Sequence, residues 1–225
     1  MVIGNLVIGI CLGFGICLLE FNCMDVILSK ERVDVQECDV LVTGFFKDER
    51  PLKGSSGWID WRLNGMLSRF LMEKKLTGDR KETTLIPSQG RVMPRMILLL
   101  GLGEVKEYSY LRLRELPPHL LETLKKLDAL NVCLSLPYEE STNVDCGKLA
   151  EVLIEGIADC LDLSGYPFNG EWIKNLRLYF AEGEKNFFEI LLGVQTAKSI
   201  LEEQIQIRIF VPSEDTSNPS SGIKI

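Results

Sequence analysis

"PLKGSSGWIDWRLNGMLSRFLMEKK", residues 51–75, is a glycine- and serine-rich turn that runs straight into an amphipathic segment. Its apolar residues Ile59, Leu63, Met66, Leu67, Phe70 and Leu71 follow the i, i+4, i+7, i+8 spacing of a core-facing stripe, so a helix is expected over 57–74. Gly54 and Gly57 permit the tight turn before it. Ser56 is placed to cap the helix by accepting a backbone N–H, and Asp60 in the first turn suits the positive end of the helix dipole. Trp58 and Trp61, near one face, are expected to pack over the turn. The free N–H groups of such a helix start can also hold an anion. Asp60 would repel that guest, and a Gly/Ser turn before a helix is ordinarily a cap.

Outward from this stretch, strand and helix patterns alternate. Short apolar, β-branched runs at 25–29, 39–46, 83–87, 96–100, 131–136 and 176–180 read as strands. Helical stripes fall between and after them: Leu149, Val152, Leu153, Ile157, Cys160 and Leu161 within 147–162, and Phe187, Ile190, Leu191, Val194, Ala197 and Leu201 within 185–203. A further helix is expected from Pro117 and Pro118, where proline fits the first turn, through Leu120, Leu121, Leu124 and Leu127. "MILLLGLG" (96–103) is apolar on both faces, as strands covered on each side are. The fold class that follows is α/β, a three-layer α/β/α domain with a mostly parallel, mixed sheet. "IQIRIFV" (205–211) alternates with period two and is expected to add an edge strand. The chain thus divides into an apolar segment (1–23), one domain (24–212) and a polar tail (213–225) expected to be disordered.

A second glycine turn, "LLLGLGE" (98–104), ends an apolar strand without a third glycine in the dinucleotide-binding spacing. It reads as a tight strand exit. Open α/β sheets nevertheless place ligands beyond the carboxyl ends of their strands. The candidate crevice is therefore lined by Gly44, by Gly54, Ser55, Ser56 and Gly57, and by Gly101 and Gly103.

The charge balance argues against nucleic acid: net charge is −7, pI is near 5.0, and no run of five Lys or Arg occurs. The 7 cysteines include no CxxC pair and none has a histidine at metal-ligand spacing, which points to free thiols in a reducing, cytoplasmic setting. The single histidine, His119, excludes a two-histidine metal site within one chain and reads as structural or solvent-facing. The pairs Asp48-Glu49, Glu139-Glu140 and Glu202-Glu203 read as solvated charge. No metal ligands and no cofactor are assigned. Residues 2–19 would span about 27 Å as a helix, at ~1.5 Å per residue, close to a hydrocarbon core. They lack the positive flank of a signal peptide. Either they anchor the domain to a membrane, facing the cytoplasm, or translation starts at Met24. Mass spectrometry of the native N-terminus decides between the two.

In order and spacing, "DVLVTGFF" (39–46), "PLKGSSGWIDWRLNGMLSRFL" (51–71) and "GDRKETTLIPSQGRVMPRMILLLGLGE" (78–104) resemble the N-terminal domain of the leucyl (cytosol) aminopeptidase family, over roughly residues 24–200. The resemblance implies a fold similar to macro domains, with "LKGSSGWID" where macro domains carry their glycine loop. It also implies a two-metal chemistry held in a separate C-terminal domain. The hallmark of that domain has no counterpart here: "NVDCGKL" (143–149) lacks its Glu and Arg. No catalytic or metal residue is carried over. "TGFFKDERP" likewise lacks the asparagine with which macro domains handle ADP-ribose. The expectation is a stand-alone, non-catalytic module for assembly or regulation, self-associating or binding an aminopeptidase-like partner. A macro-like small-molecule (nucleotide or anion) binding module and a membrane-tethered interaction protein are the alternatives.

Overall fold

The computed structural model describes residues 23–139, 142–162, 171–212 and 223–224. One 8-stranded sheet runs through it in the order β3-β4-β2-β5-β6-β1-β7-β8. The strands are β1 (Cys23–Ser29), β2 (Val40–Phe45), β3 (Thr83–Pro87), β4 (Met96–Gly101), β5 (Asn131–Ser135), β6 (Arg177–Ala181), β7 (Gln206–Val211) and β8 (Ile223–Lys224). β1, β2, β4, β5, β6 and β7 are mutually parallel, and an antiparallel strand, β3 or β8, closes each edge. The sheet is mixed, as expected. β2 shows why the apolar runs form strands here: Val40, Leu41 and Val42 point alternately to opposite faces and all are fully buried.

Helices cover the two faces unequally. On one face lie α1 (Gly54–Arg62) and α2 (Met66–Met72), where Ile59, Leu63 and Leu67 pack on Leu41, Phe45, Ile97 and Leu99. On the other lie α3 (Tyr110–Arg114), α4 (Pro117–Lys126), α5 (Cys146–Asp162), α6 (Glu171–Asn175) and α7 (Phe187–Ile200). The predicted stripes of α4, α5 and α7 face this larger core with Val40, Val42, Leu98, Leu134 and Phe180, only Leu127 and Leu191 remaining half-buried. The result is three layers, with the α1–α2 layer narrower than the sheet. Over β1 the narrow side is half-open: Cys23, Asp25, Ile27 and Ser29 are half-buried while Met24, Val26 and Leu28 are buried. Arg208 Nε donates to Asp25 Oδ1 across that open half at 2.5 Å, an ion pair suited to a solvated face.

Four expectations about 51–75 are corrected. The single helix over 57–74 is two helices, because Asn64 and Gly65 take the left-handed conformation (φ 56° and 70°) and stop α1 after Arg62. Ser56 is not the cap; it is buried inside α1 and its hydroxyl donates back to the Lys53 carbonyl at 2.9 Å. Asp60 is not in the first turn of α1. It lies late in that helix and caps the next one, its Oδ1 accepting the N–H groups of Leu67 at 2.8 Å and Ser68 at 3.1 Å. Trp58 and Trp61 are also not packed over the turn but exposed. At about 100° per residue they fall on the flank away from Ile59, which faces the sheet.

β7 lies between β1 and β8, and Ile223–Lys224, within the stretch read as tail, pair with Val211 and Phe210. Residues 1–22, which include the apolar segment 2–19, and residues 213–222 lie outside the described residues. Among the described residues no helix is long and apolar enough to cross a membrane.

Candidate functional site

The proposed crevice residues fall into two groups. Gly54 and Ser55 begin α1 beside the carboxyl ends of β2 and β5, where Ser55 Oγ shares a hydrogen bond with Thr43 Oγ1 at 2.7 Å and donates to the Ser135 carbonyl at 3.1 Å. Thr43 and Ser135 are register partners, both turned to the α1 side. Ser56 and Gly57 belong to the inner turn: a Cβ on Gly57 would lie 2.6 Å from the Leu52 carbonyl oxygen, so that glycine permits a close backbone approach. Gly44 is enclosed by Leu102 and Leu136. Gly101 and Gly103 form a separate junction with the 77–82 loop. A Cβ on Gly101 would lie 2.1 Å from the Asp79 carbonyl oxygen, and Gly103 N–H donates to Gly78 at 2.9 Å. Glu82 holds that loop by accepting from Gly78 N–H at 2.7 Å and Thr77 Oγ1 at 2.7 Å.

Sequence reasoning missed the polar groups that surround Ser55. Lys53, the N-cap of α1, offers no side-chain cap, so the first N–H groups of the helix keep their capacity for an acceptor. The buried Ser135 hydroxyl neighbours the Glu182 carboxylate and, among the described residues, has no partner at full hydrogen-bonding geometry. Next to it, Tyr138 donates to Glu182 Oε2 at 3.0 Å and accepts from Asn186 Nδ2 at 2.7 Å. Burial pushes Glu182 up to about 7, with the Ser135 and Tyr138 hydroxyls easing its charge in the opposite direction. These residues lie far apart in sequence, and no spacing announces them.

Glu139, Cys146 and Glu189 place their donor atoms within 4.8 Å of one another. The thiol donates to Glu189 Oε2 at 3.0 Å, and burial together with Glu189 holds it protonated far above the ordinary thiol range. In this arrangement the thiol serves as a hydrogen-bond donor to Glu189. His119 Nε2 meets Thr83 Oγ1 at 2.8 Å in a small cleft with Arg80, Glu82 and Glu115.

The outer flank of α1 carries the other notable surface. Trp58 is 51% and Trp61 65% exposed, and their rings meet edge to face with centroids 6.1 Å apart. The guanidinium of Arg32 lies 4.9 Å from the Trp58 centroid and that of Arg62 lies 5.2 Å from the Trp61 centroid.

A family model for the N-terminal domain of the cytosol aminopeptidase family matches residues 42–162. A probable cytosol aminopeptidase of Alkaliphilus oremlandii (strain OhILAs) is 23% identical over 197 residues, 84% of this chain and 38% of that protein. One of Geobacter sp. (strain M21) is 31% identical over 101 residues, 45% of this chain and 20% of that protein. Across the first curated relatives, the matched region spans 24% to 38% of their length. Among solved structures, a tomato leucine aminopeptidase mutant superposes with TM-score 0.55 at 16% identity, covering 79% of this chain and 37% of that one. An Oceanobacillus iheyensis macrodomain mutant with ADPR superposes with TM-score 0.57 at 11% identity, covering 77% and 92%. At those identities the likeness establishes the fold, α/β/α and macro-like, as the sequence led us to expect.

Proposed function

We propose that this chain, which belongs to the cytosol aminopeptidase family through its N-terminal domain, works as a non-catalytic module in assembly or regulation. Its partner is a second copy or an aminopeptidase-like chain. The observation that carries this reading is the exposed Trp58–Trp61 pair. Two adjacent tryptophans left in water and braced by arginines add nothing to the core, and Trp and Arg are the residues in which interface energy concentrates. The donor set supports it too. Among the described residues the clustered candidate ligands are Glu139, Cys146 and Glu189, and that set does not fit the Asp-, Glu- and Lys-held pair of divalent ions that the family resemblance implies.

The test uses the purified full chain. Light scattering, alone and after addition of a cytosol aminopeptidase, is expected to show a mass above that of the monomer. Leucyl-p-nitroanilide with manganese is expected to give no turnover. Hydrolysis at enzyme-like rates, or a strict monomer that ignores the aminopeptidase, overturns the proposal.

A second reading, a small-molecule binding module, is favoured by the start of α1, which has no side-chain cap, beside the buried Ser135 hydroxyl. The superposable Oceanobacillus iheyensis macrodomain was solved with ADPR, and a Trypanosoma brucei macrodomain that superposes with TM-score 0.54 was solved in complex with ADP. Thermal shifts with ADP-ribose, ADP and phosphate test it: stabilisation at millimolar ligand supports the site, and flat melting curves remove it.

A further inference from the structure

We propose that the Trp58–Trp61 flank of α1 is a docking surface for an acidic segment of another protein that also carries an apolar anchor. This rests on the assembly reading and narrows it to one surface and one partner chemistry.

The surface is built around a single buried carboxylate. The Asp34 side chain is 3% exposed and accepts from Arg32 Nη2 at 3.0 Å and Arg62 Nη2 at 2.7 Å. Those are the guanidiniums that lie on Trp58 and Trp61. The Asp34 carbonyl also accepts the Met93 N–H at 3.0 Å, which brings Val35 (41% exposed) and Met93 (58% exposed) to the border of the same patch. One carboxylate therefore fixes both arginines, and each arginine braces one indole. A surface held in place before binding loses little side-chain freedom on contact.

The charge of the patch selects the partner. Within the Asp34 cluster two guanidiniums share one carboxylate, a local positive excess in a chain whose net charge is −7. Asp60, the acidic residue of α1, is spent on the N–H groups of α2 and does not offset it. In a two-fold contact between copies, this face would meet itself and set Arg32 and Arg62 against their own counterparts, which like-charge repulsion disfavours. An acidic segment meets the opposite condition, and the indoles, Val35 and Met93 supply the apolar seat for its anchor.

The test is fluorescence polarisation of the full chain with labelled short peptides of alternating acidic and Leu/Phe residues. One comparator replaces Leu/Phe by Ser and another replaces the acids by Lys. The acidic, apolar peptide is expected to bind and the comparators to bind at least about tenfold more weakly. Trp58→Ala and Trp61→Ala are each expected to weaken binding about tenfold, with unchanged circular dichroism because both side chains are exposed. Arg62→Glu is expected to abolish binding, and Phe188→Ala, on the far side of the sheet, to leave it intact. Failure of every peptide, equal binding of the Ser comparator, or indifference to the tryptophan substitutions overturns the proposal. So does a fall in oligomeric mass in Trp58→Ala, which would make the face an interface between copies. An unsubstituted chain that assembles but binds none of the peptides sinks this inference and leaves the assembly reading standing.

Discussion

Gly147 of α5 and Gly193 of α7 meet backbone to backbone: a Cβ on Gly193 would lie 1.9 Å from the Gly147 carbonyl oxygen. A glycine inside a helix costs about 1 kcal/mol relative to alanine. Here it permits two helices of the larger core to cross at close range, burying Ile190, Val194 and Ala197.

Gly193→Ala forces backbone to move, not the tip of a flexible side chain, so it is expected to cost about 3 kcal/mol. Urea denaturation reads this as a lowered midpoint, with the exposed Gln195→Ala as the neutral control. Equal midpoints would show that α5 and α7 do not cross as described.

Asp60→Ala removes the acceptor for Leu67 and Ser68 N–H and is expected to cost about 1–2 kcal/mol. The helical circular dichroism of the folded protein is expected to fall slightly as α2 frays. Asp60→Asn, which keeps one acceptor oxygen, is expected to recover most of the loss. If Ser56→Ala proved the more damaging change, the cap would belong to α1 after all.

Asp39 ties β2 to the start of β5 by accepting Asn131 N–H at 2.8 Å and Leu130 N–H at 3.2 Å. Burial alone would raise its pKa, but the Asn131 and Leu130 donors outweigh burial and the net shift is downward from 3.8. A depressed folded pKa contributes stability that is present above the unfolded value and lost as pH falls through the folded one. Asp39→Ala is therefore expected to lower stability by about 1 kcal/mol at neutral pH. The gap between variant and wild type should close in strong acid, as denaturation curves across that range can check.

Glu182 carries the opposite sign. Burial raises it from 4.5 to about 7, so across that interval the folded state binds more protons than the unfolded one. The stability it contributes is complete below the unfolded value and declines as pH rises through about 7. Glu182→Gln is expected to flatten this decline and to be the more stable protein on the alkaline side. A carboxyl carbon resonance for Glu182 titrating near the ordinary Glu value would refute the shift.

The fold class was legible because burial on a sheet or helix leaves a period in the chain. Val40–Val42 and "MILLLGLG" announce strands covered on both sides, and the α4, α5 and α7 stripes are the ones the structure buries. Capping was less legible. Asp60 sits where a first-turn acid belongs if α1 starts at Gly57, and only the left-handed turn at Asn64–Gly65 shows that it serves the following helix. Apart from Ser55, the groups around Ser135 were not legible at all. Thr43, Ser55, Ser135, Tyr138, Glu182 and Asn186 come from separate elements, and what they share is proximity to one end of the sheet.

By itself, then, the sequence determined the alternation of elements, the mixed sheet between helices and the family to which the chain belongs, since each is written in local period and local motif. Tertiary structure alone decided that Trp58 and Trp61 face water, that one carboxylate at Asp34 holds both of their arginines, and that burial pushes the Glu182 carboxyl above its ordinary range. Those properties depend on which distant groups exclude water from a side chain or share charge with it, and distance along the chain carries no record of that.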